Sequence, residues 1–315
     1  MNNYSERAIK WMKVLGYLPS DGINQFLDVM EQKYNQFVID ITKSNELLIF
    51  QQLSQYTLEV STQTEQQVEE QKLKIISQYM NIEQYQQNEQ LYSMIEIDNN
   101  RILSKYEFLK NPCNFNIQQL FYTNNYAFKS NQKDAYSTTY LDVLKRILYI
   151  YCKLHPNIGY ISGMNYLLAP IVQVIQKEAD CYFCFELLIE KQQHLLLQSD
   201  NQKGLKATMN SFDEFIKNKE PQIYDHVNEL GIILSLIFVR WFITLFTSDL
   251  DIQIVIELWD RMLVEEYQEY QFKIILELLR ALKGKILKSN INQFLELISF
   301  KNENQVKLIN SILKK

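Results

Sequence analysis

Glycine and proline are scarce in this chain, seven and five in 315 residues, which argues against collagen-like, linker-rich or turn-dense β architectures. Cysteine and histidine are scarcer still, four and three. His155, His194 and His226 are scattered, and the one CxxC pair, Cys181 and Cys184, lies inside a stretch of helical periodicity. A closed zinc site needs four ligands, so the pair reads as two small core residues and no metal of the chain's own is expected. Thiols spaced in this way suit a reducing cytosol. Long apolar runs are missing as well. The most hydrophobic stretch, GIILSLIFVRWFITLF at 231–246, is shorter than the roughly 20 residues of a spanning helix and carries Arg240 at its middle. The N-terminal MNNYSERAIKWMKVL has no continuous apolar stretch of signal-peptide type. A cytoplasmic chain that does not itself enter a membrane is expected. The formal charge of −5 and the dispersed lysines and arginines give no attraction to nucleic acid.

Nucleotide and hydrolase signatures are absent too. There is no GxxxxGK[ST], GxGxxG or HExxH. Ser162, in ISGM, has a glycine after it but none two residues before, and a helix rather than a strand precedes it, so it is no nucleophile elbow.

What the chain does have is helical periodicity almost throughout. A 47% hydrophobic and 22% charged composition is ordinary for a folded protein, and the length accommodates one large domain or two smaller lobes. Helices are predicted at about 5–15, 22–42, 141–154, from 161 onward, 179–197, 204–217, 221–247 with a break near Gly231, 250–265, 268–288 and 302–314. The Gln- and Glu-rich residues 45–90 read as solvated helices, and the Asn-rich residues 109–135 as a long surface connection. No segment alternates with period two. The class is all-α.

Three segments stand out. Ile95–Arg101 (IEIDNNR) fits IxxDxxR; Gly159–Asn165 (GYISGMN) fits GYxxGMN; Val239-Arg240-Trp241 is followed by IVIELWD, ending at Trp259 and Asp260. In order, these resemble the three signature motifs of the TBC domain of Rab GTPase-activating proteins, and RAIKWMKVLGYLP at 7–19 resembles that family's opening helix. With a long insertion before it, VLKRILYIYCKLHPNIGYISGMN looks closest to the subgroup with an extended link between the first two motifs. The resemblance implies one TBC domain over 1–315, with an N-terminal lobe of about 1–200 and a C-terminal lobe of about 201–315.

It also implies chemistry. GTP hydrolysis needs charge neutralised on the β- and γ-phosphate oxygens and a water held in line. A guanidinium supplies fixed charge with a fork of donors, which suits it to phosphate better than an ammonium. The family's arginine finger maps to Arg101, and its aspartate, one helical turn earlier, to Asp98. The family's second motif usually reads YxQGM, with the glutamine positioning the attacking water; here Ser162 stands in its place, shorter and without the amide's donor–acceptor pair. Ile95, Tyr160, Gly163, Met164 and Asn165 are expected to shape the motifs and the GTPase contact. Arg240 and Asp260 are expected to form a buried ion pair, and Trp241 and Trp259, with Trp11, to fill the core. On this basis Arg101 and Ser162 should lie within about 10–15 Å in one groove, flanking one γ-phosphate. A second register, with Ile117 opening the first motif, would put Leu120 and Thr123 where Asp and Arg belong.

Three functions stay open on the sequence. The chain is an activator of a Rab-type small GTPase, acting on GTP and magnesium bound to that partner and peripheral to endomembranes through it; or a non-catalytic adaptor using the same face; or a subunit of a larger assembly.

Overall fold

The computed structural model describes residues 4–42, 64–113, 139–196, 204–299 and 311. Those residues hold thirteen α-helices and no strand, with a single isolated β-bridge between Pro112 and Thr139. Two compact units are built from them. One is Pro19–Phe183 with Met1–Asn2; the other is Asn3–Leu18 with Cys184–Lys315. The first helix thus belongs with the C-terminal unit, and the division falls at 183/184 rather than near 200.

In the first unit, α2 (Ile23–Thr42), α3 (Glu65–Tyr79), α4 (Ile82–Ile102), α5 (Tyr140–Leu154) and α6 (Met164–Ile175) are followed by the start of α7 (Glu178–Leu196). A 3-10 turn, Glu107–Lys110, lies between α4 and α5. Thr139 and Asp142 form a capping box that starts α5, each side chain bonded to the other's backbone N–H. Helix α5 buries Leu144, Ile147, Leu148 and Ile150 completely, and α6 does the same with Leu167, Leu168 and Ile171. Within this core sits a cluster of three polar side chains that bond one another. Arg146 donates to both oxygens of Glu178, at 3.0 and 2.6 Å, and the Tyr34 hydroxyl donates to Glu178 at 2.7 Å. Burial opposes the Arg146 charge, yet Glu178 holds the guanidinium above its ordinary pKa. Helix α3 lies mostly in solvent, with Ile75 and Ile76 buried.

In the second unit, α1 (Glu6–Leu15) starts on Ser5, whose hydroxyl accepts from the Ala8 N–H. It ends on Gly16 at φ 89°, with the Schellman bonds from Gly16 and Tyr17. The rest is the end of α7, then α8 (Leu205–Lys219), α9 (Pro221–Glu229), α10 (Leu234–Thr244), α11 (Ile252–Met262), α12 (Tyr267–Ile286) and α13 (Ile291–Leu297). Phe212, Phe238, Phe242 and Phe272 pack edge to face at the centre. The expected break lies at Gly231, where α9 and α10 diverge by 111°. No single helix among the described residues is long and apolar enough to cross a membrane. Cys181 and Cys184 are fully buried one turn apart on α7, as core residues.

The expected ion pair between Arg240 and Asp260 is not formed. The Arg240 side chain is 63% exposed and lies 3.8 Å from Asp249. Asp260 instead accepts from Arg7 Nε at 2.9 Å and Trp11 Nε1 at 2.8 Å, while its carbonyl accepts from Lys10. The reason is helical phase. Helix α10 turns Leu234, Phe238, Trp241 and Phe242 inward, which leaves Arg240 outside. Trp241 and Trp259 are buried as expected. Trp259 donates to the Leu245 carbonyl at 3.0 Å and lies 5.5 Å from the ring of Trp11; Trp241 donates to Asp249 at 3.1 Å. Helix α13 has no counterpart among the expected helices, and the expected helix at 302–314 lies almost wholly outside the described residues. Residues 43–63 and 114–138 lie outside them too, the latter including the alternative Ile117 register and most of the expected connection.

Candidate functional site

Helix α4 runs from an Asn81 cap, whose side chain accepts from the Glu83 N–H, to Ile102. Its inner face carries Ile95, Asp98, Asn99 and Ile102, all buried, in the spacing that puts side chains on one side of a helix. Lys145 of α5, only 3% exposed, reaches Glu96 at 3.4 Å, and Lys153 reaches Asn88 at 2.7 Å. These two contacts pin α4 along α5. Arg101 lies in the last turn of α4, where a cation faces the negative end of the helix dipole.

The second motif starts where α5 ends. After His155 the chain turns, with the His155 carbonyl accepting from Ile158 and Gly159. Tyr160 and Ile161 follow, then a turn at Ser162 and Gly163 closed by a bond from Met164 N–H to the Ile161 carbonyl, at 3.1 Å. Gly163 has φ 104°, a conformation side-chain-bearing residues rarely adopt, and it sets the chain into α6 at Met164. Met164 and Asn165 are fully buried; Ser162 is exposed.

Both motifs meet on Asp98. Arg101 Nη1 donates to Asp98 Oδ1 at 3.0 Å, and the Tyr160 hydroxyl donates to Asp98 Oδ2 at 3.2 Å. Asn165 Nδ2 donates to the Asp98 backbone carbonyl at 2.9 Å. Burial, then the Asp98 carboxylate, raises the Tyr160 pKa, so this phenol stays a donor over the whole physiological range. The Arg101 side chain is 70% exposed, against 11% for Asp98. A guanidinium has five N–H donors, and one carboxylate contact leaves most of its fork directed at solvent. The site is therefore a buried, doubly held carboxylate that steadies one exposed arginine. Ser162 stands two residues beyond Tyr160, within about 7 Å of chain.

Asn99 is a residue that no sequence pattern singles out. It is fully buried, and neither its side-chain oxygen nor its nitrogen has a hydrogen-bond partner. An asparagine among asparagines, in IDNNR, gives no signal of this. Among the described residues, no group of three or more His, Cys, Asp or Glu could hold a metal.

The family model described as RabGAP-TBC, Rab-GTPase-TBC domain, matches residues 7–287. The chain is 28% identical over 156 residues to a TBC domain-containing protein kinase-like protein of Homo sapiens, covering 49% of this chain and 17% of that protein. It is 30% identical over 159 residues to the GTPase-activating protein GYP5 of Eremothecium gossypii, covering 48% and 19%. With TBC1 domain family member 13 of Homo sapiens it shares 25% over 170 residues, covering 50% and 42%. The matched part thus spans less than half the length of each of these relatives. The fold is similar to the crystal structure of the Ypt/Rab-GAP domain of Gyp1p, with a TM-score of 0.62 at 17% identity over 98% of this chain and 86% of that one. It is also similar to that of the Chlamydomonas flagellar RabGAP TBC domain, at 0.52 and 14% over 96% and 86%. A model match over nearly the whole chain, on an all-helical fold, settles the family: the chain belongs to the Rab-GTPase-TBC domain family.

Proposed function

We propose that this chain stimulates GTP hydrolysis on a Rab-type small GTPase by offering Arg101 in trans, with GTP and magnesium supplied by that partner. The observation that carries the reading is the arrangement on Asp98. One oxygen steadies Arg101 and the other is held by Tyr160, so the guanidinium is oriented without being consumed. An arginine so held meets phosphate with little reorganisation, which is how preorganised charge lowers a barrier. The same convergence on Asp98 supports the register that begins at Ile95. Membrane attachment would then come through the GTPase, as in vesicle traffic.

A second reading rests on Ser162. Its exposed hydroxyl is too short to hold a water as a glutamine amide would, which favours an adaptor that binds the GTPase without accelerating it, alone or within a larger assembly.

Single-turnover hydrolysis by a panel of GTP-loaded Rab proteins separates the two. Stimulation by wild type that is lost in Arg101→Ala establishes the arginine mechanism, and a further gain in Ser162→Gln measures what the serine costs. GTP-dependent binding with no stimulation by any variant establishes the adaptor.

A further inference from the structure

Arg101 is not alone on its side of α4. Met94 and Ile97 precede it by seven and four residues, the spacing that aligns side chains along one helical stripe. Both are exposed, at 42% and 50%. Scattered apolar side chains on a surface need no explanation; these two adjoin each other and the exposed arginine. No other charge lies on the stripe between them and Arg101. The neighbouring Glu96 faces Lys145 and Asp98 is buried, while Ser93 and Asn100 are exposed and neutral.

Distance decides what covers them. At about 1.5 Å per residue, Ile97 lies roughly 6 Å and Met94 roughly 10 Å from Arg101 along the axis. A protein contact of standard size covers about 800 Å² on each side, a patch roughly 30 Å across. A partner that brings its nucleotide to the Arg101 guanidinium therefore also covers Ile97 and Met94. We infer that Met94 and Ile97 form the apolar docking step for the GTP-bound GTPase, and that they select a GTPase with an apolar patch one to two helical turns from its nucleotide cleft. This rests on the proposed function of the same face, and adds to it which residues supply affinity.

Ile97→Gln and Met94→Gln test it, since glutamine keeps helix propensity while removing the apolar contact. Thermal melts first establish that each variant folds as wild type does. Stimulated hydrolysis is then titrated with a responsive GTPase. The double variant is expected to raise the half-saturating concentration about tenfold or more, with the maximal rate unchanged. Arg101→Ala should do the reverse, losing rate while keeping affinity for the GTPase loaded with a non-hydrolysable GTP analogue. Unchanged half-saturation or affinity in the glutamine variants overturns the docking step and leaves the arginine reading standing. A chain that binds without stimulating is judged by the same affinity comparison. Binding to no GTPase overturns the docking step, as does sedimentation showing that the variants lose only self-association.

Discussion

Around Glu178, the guanidinium of Arg146 lies on both carboxylate oxygens while Tyr34 donates to one of them, and all three side chains are buried. Around Asp98 the same three kinds of group meet again, a guanidinium, a carboxylate and a phenol, but Arg101 touches one oxygen, Tyr160 takes the other, and the guanidinium is 70% exposed. Two arginine–carboxylate–tyrosine clusters in one unit thus have opposite geometries. The first has its charges satisfied internally and out of water. Such a pair adds little net stability against an apolar replacement, but breaking it leaves an unpaired buried charge. In the second, the ion pair itself adds little to stability, because a pair with an exposed partner is worth about 0–1 kcal/mol. What it does is orient an arginine whose remaining donors are directed outward. Chemical composition does not distinguish the two; burial and the number of bonds to the guanidinium do.

The largest effects should cross over between the clusters. Arg101→Ala is expected to lower stimulated hydrolysis on the order of 10³–10⁵-fold, read in a single-turnover assay, with unfolding free energy changed by no more than about 0.5 kcal/mol. Arg146→Ala should instead cost about 3–5 kcal/mol in denaturant unfolding, because Glu178 is left buried and unpaired. If Arg101→Ala destabilised the fold by as much as Arg146→Ala, the contrast would collapse.

Asn99, next to Asp98 on the buried face, gives a smaller effect of opposite sign. Its amide is buried with no partner, and leucine has nearly its shape. Asn99→Leu is therefore expected to raise unfolding free energy by about 1–3 kcal/mol, measured in urea. A loss of stability would mean the amide has a partner such as a buried water.

The smallest effect concerns pH. Tyr34 and Tyr160 both have raised pKa values, each through burial first and its carboxylate second. An unfolded phenol titrates near pH 10, and here the folded value is higher. The stability each contributes is thus complete below about pH 10 and is lost as pH rises from there through the folded value. Compared with wild type, Tyr34→Phe and Tyr160→Phe should each flatten the alkaline fall in stability by up to about 1.4 kcal/mol per pH unit. Only Tyr160→Phe should also slow stimulated hydrolysis. Equal slowing in Tyr34→Phe would show that the two clusters are not functionally separate.

The readability of these features in the sequence follows their spacing. Asp98 and Arg101 are one helical turn apart, and Tyr160 to Asn165 form one contiguous turn, so both motifs could be read directly. That they share one carboxylate could not, since 62 residues separate Tyr160 from Asp98. Arg146, Glu178 and Tyr34 lie on three helices with no periodic relation and gave no signal. Arg240 departs from expectation because α10 is apolar on nearly every side, so that its pattern does not reveal which face is buried. Asp260 departs from expectation because its partners Arg7 and Trp11 lie about 250 residues away, beyond any local pattern.

That last contact has a consequence for synthesis. Arg7 and Asp260 are 253 residues apart, and helix α1 belongs to the unit completed after residue 184. At the usual 5–20 residues per second of translation, roughly 13–50 s pass between the synthesis of Arg7 and that of Asp260. During that time the intervening unit has all its own residues available and can fold first. Until then Trp11 has neither Trp259 to pack against nor Asp260 to donate to, so α1 spends that interval without the contacts that bury it.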